Sequence, residues 1–171
     1  LGGNAEYFFK AKDKSELFEF LKIAKKENLK TTILGAGSNT LFRDNGVKGV
    51  VIKLGANFSF IKLIDKNILE VGAATLDRKV ANFARDNHLG NLEFLSCIPG
   101  SIGGAIIMNS GCYNSDISKV LMSIKVFDVK KLSEIELKKE DIEFFYRGTN
   151  LPKDLIVISA KLKGLVSNKE D

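Results

Sequence analysis

The chain has 171 residues, of which 44% are hydrophobic and 27% charged, and its formal net charge is +5. This length and composition exclude a disordered chain and favour one globular domain, which can have two lobes. No apolar run is long enough to span a bilayer and no secretory leader is evident, so we expect a soluble, cytoplasmic protein. The sequence begins at Leu1 rather than at a methionine, which is typical of a fragment.

Charge and cysteine usage narrow the classes of ligand. The lysines are scattered and lack interleaved aromatic residues, so nucleic acid is not an expected partner. The same positive excess favours an anionic small molecule, such as a dinucleotide or a UDP-sugar, through long-range attraction. The two cysteines, Cys97 and Cys112, are too few for a disulfide framework and lack the spacing of a zinc site. We expect both thiols to be reduced and packed, and we expect no metal.

The first part of the chain predicts a β-α-β pattern. A strand is predicted over residues 5–10, and Asp13 and Glu16 then have the spacing of a capping box. This box opens an amphipathic helix that is expected to end near Asn28. Two short runs of apolar and β-branched residues predict further strands, at 30–34 and 49–54.

The rest of the chain predicts more strands and a second helix. Residues 58–64 and 67–72 are spaced as consecutive strands that are joined by a polar turn. Thr75 is the expected N-cap of the helix, and His88 lies near the end of that helix. A polar tail from Ser167 is expected to be frayed. Later strands are predicted over residues 119–129, 132–137 and 155–162.

A glycine loop follows the second predicted strand, with the sequence Gly35-Ala36-Gly37-Ser38-Asn39. Glycines let the backbone turn sharply and expose successive N–H groups to an anion. The pattern lacks the third glycine of a Rossmann dinucleotide site, and no acidic ribose ligand is obvious after the next strand. Two interpretations therefore remain open: a turn that binds a diphosphate, or a tight turn without a ligand.

A second segment, residues 96–111, is dense in residues with little or no side chain. Such a segment leaves room for a flat ligand against the backbone, and Ser101 is placed to cap a short helix whose N-terminus faces a phosphate. Close packing of a short helix against a sheet requires small residues as well. On its own, the segment favours this packing interpretation.

Taken together and in order, these motifs resemble the UDP-N-acetylenolpyruvoylglucosamine reductase family, which belongs to the FAD-binding superfamily that includes vanillyl-alcohol oxidase. Residues 2–8 resemble the family's G-G-x-A-x-x-F opening, and residues 35–41 resemble its pyrophosphate loop. Residues 98–105 match its I-P-G-x-x-G-G-A signature, and Tyr146-Arg147 matches a later Y-R motif. The resemblance extends over almost the whole chain, and the ordered set is more specific than any single motif.

The resemblance implies an α+β fold, namely a two-lobed FAD-binding domain of the vanillyl-alcohol oxidase or PCMH type. Residues 1–54 and 55–166 would form the two lobes, with a polar tail over residues 167–171. FAD would be bound noncovalently, because the glycine loop lacks the histidine through which several superfamily members attach flavin. The residues implied in cofactor binding are Leu34, Gly35, Ala36, Gly37, Ser38, Asn39, Thr40, Leu41, Ile98, Pro99, Gly100, Ser101, Gly103, Gly104, Ala105, Asn109, Gly111 and Tyr113.

The implied reaction uses NADPH to reduce FAD, followed by hydride transfer to the enolpyruvyl group of a UDP-sugar ether. Arg147 is implied as the catalytic residue that stabilises the substrate carboxylate and the developing enolate, because a guanidinium offers a planar fork of donors. Tyr146 is implied to position this arginine. Without the family match, an arginine paired with Glu143 is the simpler interpretation. His88, the single histidine, is expected to be structural.

The family's proton-donating serine and an assisting glutamate belong to a C-terminal substrate domain, beyond Asp171. The resemblance therefore implies that this chain, as a monomer, binds FAD but does not complete the reaction. Two further interpretations stay open. One is another oxidoreductase of the superfamily, such as a 2-hydroxy-acid dehydrogenase or an alcohol oxidase, and the other is a noncatalytic binding domain whose glycines serve packing alone.

Overall fold

The structure is a computed structural model that describes residues 2–166. The frayed tail predicted from Ser167 lies outside these residues. Within them, no helix is long and apolar enough to cross a membrane. In chain order the helices and strands are β1 (Ala5–Ala11), α1 (Lys14–Lys26), β2 (Thr31–Leu34), β3 (Val47–Leu54), β4 (Ile61–Asp65), β5 (Ile68–Gly72), α2 (Asp77–Asp86), β6 (Leu89–Gly90), α3 (Ile102–Ile107), β7 (Gly111–Cys112), β8 (Ser115–Asp116), α4 (Ile117–Val120), β9 (Leu121–Asp128), β10 (Ser133–Lys138), β11 (Phe144–Phe145), β12 (Gly148–Thr149), β13 (Leu155–Lys163) and β14 (Leu165–Val166).

The first part of the chain forms a parallel sheet of three strands, in the order β1-β3-β2. The crossover from β1 to β2 contains α1, whose Leu17 and Leu21 are fully buried. In register, Ala11 pairs with Leu54 at one end of the β1-β3 ladder. The predicted β-α-β pattern is therefore confirmed, and the glycine loop leaves this sheet at the carboxyl end of β2.

The start of α1 has the predicted cap. The backbone N–H of Glu16 donates to Asp13 Oδ1 at 3.0 Å, and the Glu16 carboxylate accepts from the backbone N–H of Lys12. The first bond satisfies a donor that the helix N-terminus otherwise leaves unpaired, whereas the second engages the N–H that precedes the N-cap Asp13, so only half of the predicted capping box is formed. The helix ends at Lys26, close to the expected position, and Asn28 adopts a left-handed conformation with a φ of 50°. Asparagine tolerates that conformation better than most residues do.

The later strands form an antiparallel sheet of five, in the order β10-β9-β13-β5-β4. β13 lies at its centre and pairs with β9 on one side and β5 on the other. The sequence of residues 155–160 is almost continuously apolar, which is typical of a strand that is buried on both faces. A register shift between Val157 and Ser159 changes which side chains face each side of the sheet.

Each face of this sheet contributes to a separate core. On one face, Ile156 and Ile158 of β13 cluster with buried residues of α1 and of the parallel sheet. On the other face, Val157 and Leu162 cluster with buried residues of α2 and α3. Burying a Leu or Ile side chain stabilises the fold by about 1.5–3 kcal/mol. One central strand therefore holds the parallel sheet and the α2-α3 layer together, and the cleft described below lies at their junction.

The prediction for the start of α2 is wrong. Thr75 does not cap the helix: Leu76 is the N-cap, without a side-chain hydrogen bond, and Asp77 is the first helical residue. The Thr75 hydroxyl instead donates to the carbonyl oxygen of Phe60 at 3.1 Å. The helix begins one residue later than predicted, so Thr75 lies one residue before the N-cap position.

Two strand boundaries also differ from prediction. The strand expected over residues 58–64 begins only at Ile61, because residues 56–58 form a short 3-10 helix. The strand expected from residue 119 begins at Leu121, because α4 occupies Ile117–Val120. Periodicity does not separate short apolar strands from short helices, and boundaries between them are decided by tertiary packing.

Candidate functional site

A cleft of about 740 Å³ lies between β2 with its glycine loop and the segment formed by α3 and β13. Small-molecule sites in proteins commonly occupy roughly 300–1,000 Å³, so a cofactor fits this volume. The cleft lining includes residues from both of the small-residue segments that the sequence singled out. These residues are Leu34, Gly35, Ala36, Thr40, Ser101, Gly103 and Gly104.

The two segments meet at Gly35 and Ser101. A Cβ added to Gly35 would lie 3.0 Å from Ser101 Oγ, which is closer than ordinary van der Waals contact. The fold therefore leaves little room for a side chain at residue 35. Two segments that are distant in the sequence thus form one surface of the cleft.

Backbone conformation explains the second glycine of the loop. Gly37 has a φ of 83°, in the left-handed region that favours glycine, and its carbonyl oxygen accepts from the Thr40 N–H at 3.4 Å. Ser38 and Asn39 are exposed at the turn. A turn with this conformation at the carboxyl end of a parallel strand is a common position for ligands in open α/β sheets.

Several predicted loop residues do not line the cleft. Gly37, Ser38, Asn39 and Leu41 are absent from its lining, and Leu41 is 82% exposed. Their role in ligand binding stays a prediction. Gly37 shapes the loop through its backbone, whereas Ser38 and Asn39 carry exposed polar side chains in the same turn.

α3 presents two glycines whose surroundings differ. A Cβ on Gly103 would lie 3.1 Å from Ala73 Cβ, so this glycine permits close packing against the end of β5. A Cβ on Gly104 would meet no atom within 4 Å, and Gly104 lines the cleft. The glycine at residue 104 therefore leaves the cleft open, and no packing constraint of the protein itself requires it.

The N-terminus of α3 is already hydrogen-bonded. Ser101 is the N-cap residue, as predicted, but its side chain makes no capping hydrogen bond. The N–H groups of Ile102 and Gly103 donate to the carbonyl oxygens of Thr75 and Ala73, at 3.0 and 2.9 Å. The protein backbone thus satisfies both of these donors. The expected interaction of this helix end with a phosphate stays a prediction that these two N–H groups do not support.

Four predicted residues of this segment do not line the cleft: Ile98, Pro99, Gly100 and Ala105. Ala105 is buried in the core, and Ile98 packs against that core from a half-buried position. A Cβ on Gly100 would lie 2.8 Å from Asp77 Oδ2. Pro99 is exposed and lines neither cleft. Packing accounts for the small size of Gly100 and Ala105, which agrees with the alternative interpretation of the sequence.

Three lysines that sequence reasoning missed also line the cleft: Lys30, Lys53 and Lys153. Lys53 is the register partner of Leu34, so it lies directly beside the start of the glycine loop. Lysine ammonium groups attract phosphates as point charges. The only sequence signal for these residues is the net positive charge, because their proximity depends on the pairing of β2 with β3.

A second cleft, of about 730 Å³, adjoins the first at the end of α3. Ile107 and Met108 line the first cleft, and the next residue, Asn109, lines the second. The second cleft also brings together the other residues that the sequence singled out for ligand contact and catalysis. These are Gly111, Tyr113, Tyr146 and Arg147.

Arg147 lies in the two-residue turn between β11 and β12, where it has a φ of 58°. One guanidinium nitrogen, Nη2, donates to the carbonyl oxygen of Gly111 at 3.3 Å, and the guanidinium carbon lies 5.1 Å from the centre of the Tyr146 ring. In the described part of the chain, Arg147 makes no ion pair, with Glu143 or any other acid. Its remaining donors are available to an anion in the cleft.

Asn109 and Gly111 have structural roles in the second cleft. The Asn109 side chain donates to the carbonyl oxygen of Phe145 at 3.3 Å and accepts from the Ser118 N–H at 3.1 Å. A Cβ on Gly111 would lie 2.4 Å from the carbonyl oxygen of Ser115, which the β7-β8 pairing brings close. Both residues therefore shape the wall that carries Arg147. Tyr113, in contrast, is 85% exposed and free to contact a ligand.

Asp77 is a buried acid that sequence reasoning did not identify. It is the first residue of α2, it has no exposed surface, and neither carboxylate oxygen has a hydrogen-bond partner among the described residues. Burial raises the pKa of Asp77 from 3.8 to about 7. Acidic residues are common in the first turn of a helix, so the sequence pattern does not distinguish a buried acid from an exposed one.

Metal-binding residues do not cluster in residues 2–166, where no group of three or more His, Cys, Asp and Glu residues could hold an ion. His88 follows α2 in a left-handed conformation with a φ of 55°, and its N–H donates to the Arg85 carbonyl oxygen at 3.1 Å. It lines neither cleft. This position agrees with the expected structural role of His88.

Comparison with known proteins identifies the family. A model of the FAD binding domain family matches residues 5–131, which is most of the chain. The chain belongs to this FAD-binding domain family. The matched range contains the whole glycine loop and all of α3. The cleft that these segments line is therefore the candidate FAD site.

Curated relatives of the FAD-binding domain are UDP-N-acetylenolpyruvoylglucosamine reductases. The reductase of Pelagibacter ubique is 44% identical over 100% of this chain and 56% of its own length. The reductase of Rickettsia felis is 44% identical over 95% of this chain and 54% of its own length. The chain thus spans about half the length of the curated relatives that it matches.

Solved structures agree with the predicted fold class. The UDP-N-acetylenolpyruvylglucosamine reductase of Thermus caldophilus has a TM-score of 0.81 and 30% identity, over 94% of this chain and 56% of that chain. A carbon monoxide dehydrogenase of Hydrogenophaga pseudoflava has a TM-score of 0.65 at 12% identity, covering 93% of this chain and 59% of that chain, and it is similar in fold alone. The predicted α+β fold of the vanillyl-alcohol oxidase or PCMH type is confirmed for the FAD-binding domain.

Proposed function

We propose that this chain is the FAD-binding part of a UDP-N-acetylenolpyruvoylglucosamine reductase, which acts in the synthesis of peptidoglycan precursors. The observation that carries the proposal is the meeting of Gly35 and Ser101 at one cleft. These residues belong to the pyrophosphate-loop and I-P-G-x-x-G-G-A motifs of the resemblance. The curated relatives at 44% identity support the same assignment.

The cleft residues fit FAD in size and chemistry. The opening at Gly104 gives a flat or extended ligand access to the backbone, because no side chain fills it. The glycine loop and Lys53 lie side by side at the end of β2, where backbone donors and a cation can bind the diphosphate. Bound FAD would supply the redox chemistry of the site. Noncovalent binding is proposed because the loop contains no histidine and His88 lines neither cleft.

Arg147 is proposed as the residue that binds the carboxylate of the substrate and stabilises negative charge as it develops. Its Gly111 contact fixes one nitrogen, while the cation–π contact with Tyr146 orients the plane of the guanidinium. Preorganised donors of this kind stabilise a developing anion without reorganising during the reaction. Tyr146 acts as the positioning residue in this proposal.

The finer assignments follow the resemblance. We propose NADPH as the electron donor, a UDP-sugar enolpyruvyl ether as the substrate, the cytoplasm as the location and a monomer as the state of this chain. Residues 1–54 and 55–166 are proposed as the two lobes on either side of the FAD cleft. The separate sheets formed by these two ranges support that division.

The isolated chain is expected to bind FAD and to show no useful turnover of UDP-N-acetylenolpyruvoylglucosamine. FAD binding is measured by titration with absorbance and fluorescence, followed by release of intact FAD on denaturation. Turnover is measured as substrate-dependent NADPH oxidation by this chain and by the longer parent protein. A folded chain that does not bind FAD contradicts the cofactor assignment. If a 2-hydroxy acid or an alcohol reduces the flavin of the longer protein, and the enolpyruvyl ether does not reoxidise the reduced flavin, the reductase assignment is wrong.

Replacing Gly37 with valine is expected to raise the Kd for FAD about tenfold, because a β-branched residue in the left-handed region costs about 1–2 kcal/mol and reshapes the loop. The change should leave the fold largely intact, since the nearest atom to a Cβ at residue 37 is Leu34 Cδ1 at 3.8 Å. Gly37→Asn is the matched control, because asparagine tolerates a positive φ. Equal FAD affinity in the unsubstituted chain and in Gly37→Val would refute the role of the loop.

A further inference from the structure

The two cysteines, fifteen positions apart in the sequence, meet in the structure. Cys97 is the last residue of the 3-10 helix Glu93–Cys97, and Cys112 is the last residue of β7. β7 packs against this 3-10 helix, which places the two thiols close enough for Cys97 to influence the pKa of the Cys112 thiol. No family motif accounts for the pair, and nothing in the proposed reduction requires it.

The surroundings of the thiols differ. Cys97 is exposed, and its Sγ lies 3.6 Å from Ser96 Oγ, whereas Cys112 is half-buried. Partial burial raises the pKa of the Cys112 thiol, and the hydrogen bond and electrostatic interaction with Cys97 raise it further, while the positive charge of Arg147 opposes the shift. An oxidant in solution therefore reaches Cys97 first, and Cys112 is held beside it.

We propose that Cys97 and Cys112 form a reversible disulfide by exchange with low-molecular-weight disulfides of the glutathione type. The thiolate of Cys97 attacks one sulfur of the small disulfide, and the other sulfur leaves as a thiolate. Cys112 then loses its proton and attacks Cys97 Sγ, which displaces the second small thiolate. The protein loses two electrons and two protons, and the small disulfide is reduced to two thiols.

The disulfide would act on the second cleft. The two sulfurs must approach to about 2.05 Å to form the bond. This approach pulls β7 toward the 3-10 helix and moves Gly111, whose carbonyl oxygen accepts the hydrogen bond from Arg147. The redox state of the pair would thus change the position of Arg147, although formation of the disulfide does not depend on the proposed reductase function.

The test is oxidation of the native protein with oxidised glutathione, followed by acid quenching, denaturation and alkylation. We expect the main product to lose two hydrogen atoms, to resist alkylation at both cysteines and to regain both thiols with dithiothreitol. Met108 is the one methionine between the cysteines. Cleavage after Met108 with cyanogen bromide should therefore leave residues 1–108 and 109–122 joined in the oxidised sample and separate in the reduced one.

Three controls make the result decisive. Cys97→Ser and Cys112→Ser should each stop at a mixed disulfide with glutathione. The third control is the protein without substitutions, unfolded in urea. Its equilibrium constant for forming the intramolecular disulfide should be at least about tenfold lower than that of the native protein, because only the fold holds the thiols together. Two alkylatable thiols after oxidation of the native protein, a stable mixed disulfide at Cys97, or equal constants in native and unfolded protein would each overturn the proposal.

Discussion

Gly104→Leu is expected to weaken FAD binding by about 10- to 100-fold, since forcing a side chain into occupied space costs about 1–3 kcal/mol. The same substitution should not lower the stability of the FAD-free protein. A Cβ at residue 104 meets nothing within 4 Å, and α3 has ordinary helical geometry there. Replacing a helical glycine with leucine contributes roughly 0.5–1 kcal/mol through helix propensity.

Weaker FAD binding without a loss of stability identifies a glycine that makes room for the ligand. A glycine that is required for packing instead lowers the stability of the FAD-free protein when it is replaced. The measurements are the Kd for FAD by titration and the free energy of unfolding without FAD. Gly103→Leu is the matched comparison, because a Cβ there would lie 3.1 Å from Ala73 Cβ and should destabilise the FAD-free fold. If Gly104→Leu binds FAD as tightly as the parent, the cofactor does not pass over α3 and the proposed site is wrong.

Asp77→Asn is expected to remove a large pH dependence of stability. Burial raises the pKa of Asp77 from 3.8 to about 7, so the folded protein holds a proton there that the unfolded chain releases. The contribution of Asp77 to the stability of the folded state is therefore fully present below pH 4 and is lost as the pH rises toward 7. The full change amounts to about 4 kcal/mol in the free energy of unfolding.

Asparagine cannot ionise, so the stability of the variant relative to the parent should improve by up to about 4 kcal/mol between pH 4 and pH 8. Urea unfolding at several pH values measures this difference. Asp86→Asn, at the exposed end of the same helix, is the control and should change stability by at most about 1 kcal/mol at any pH. A constant difference between parent and Asp77→Asn across this range would show that Asp77 ionises normally in the folded protein.

Local signals predicted much of the fold. The Asp13-Glu16 cap and the strands that flank the glycine loop follow from short-range rules, and the structure has them where expected. Strand order is different, because it depends on long-range pairing. Nothing in the local sequence places β13 between β9 and β5, although the almost continuously apolar run of residues 155–160 is typical of a strand that is buried on both faces.

In the candidate site, too, local motifs were predictable from the sequence and long-range contacts were not. Gly35 and Ser101 were chosen from separate motifs, and the fold brings them into contact at one cleft. Lys53 was missed because its place beside the glycine loop depends on the register of β2 against β3. Asp77 was missed because burial of a helix N-terminus is a tertiary property. Composition reports the total charge of a chain, but it does not report which charges face the same cavity.

The central position of β13 has a consequence for synthesis on the ribosome. Ile156 and Ile158 complete the hydrophobic cluster that also contains Leu17 and Ile52, which are translated more than a hundred residues earlier. The nascent β1-α1-β2-β3 segment therefore emerges with an unfinished apolar face, which stays uncovered until β13 is translated. Long-range contacts of this kind slow folding and prolong the exposure of apolar surface. We expect this nascent segment to be the part of the protein that depends most on chaperone protection.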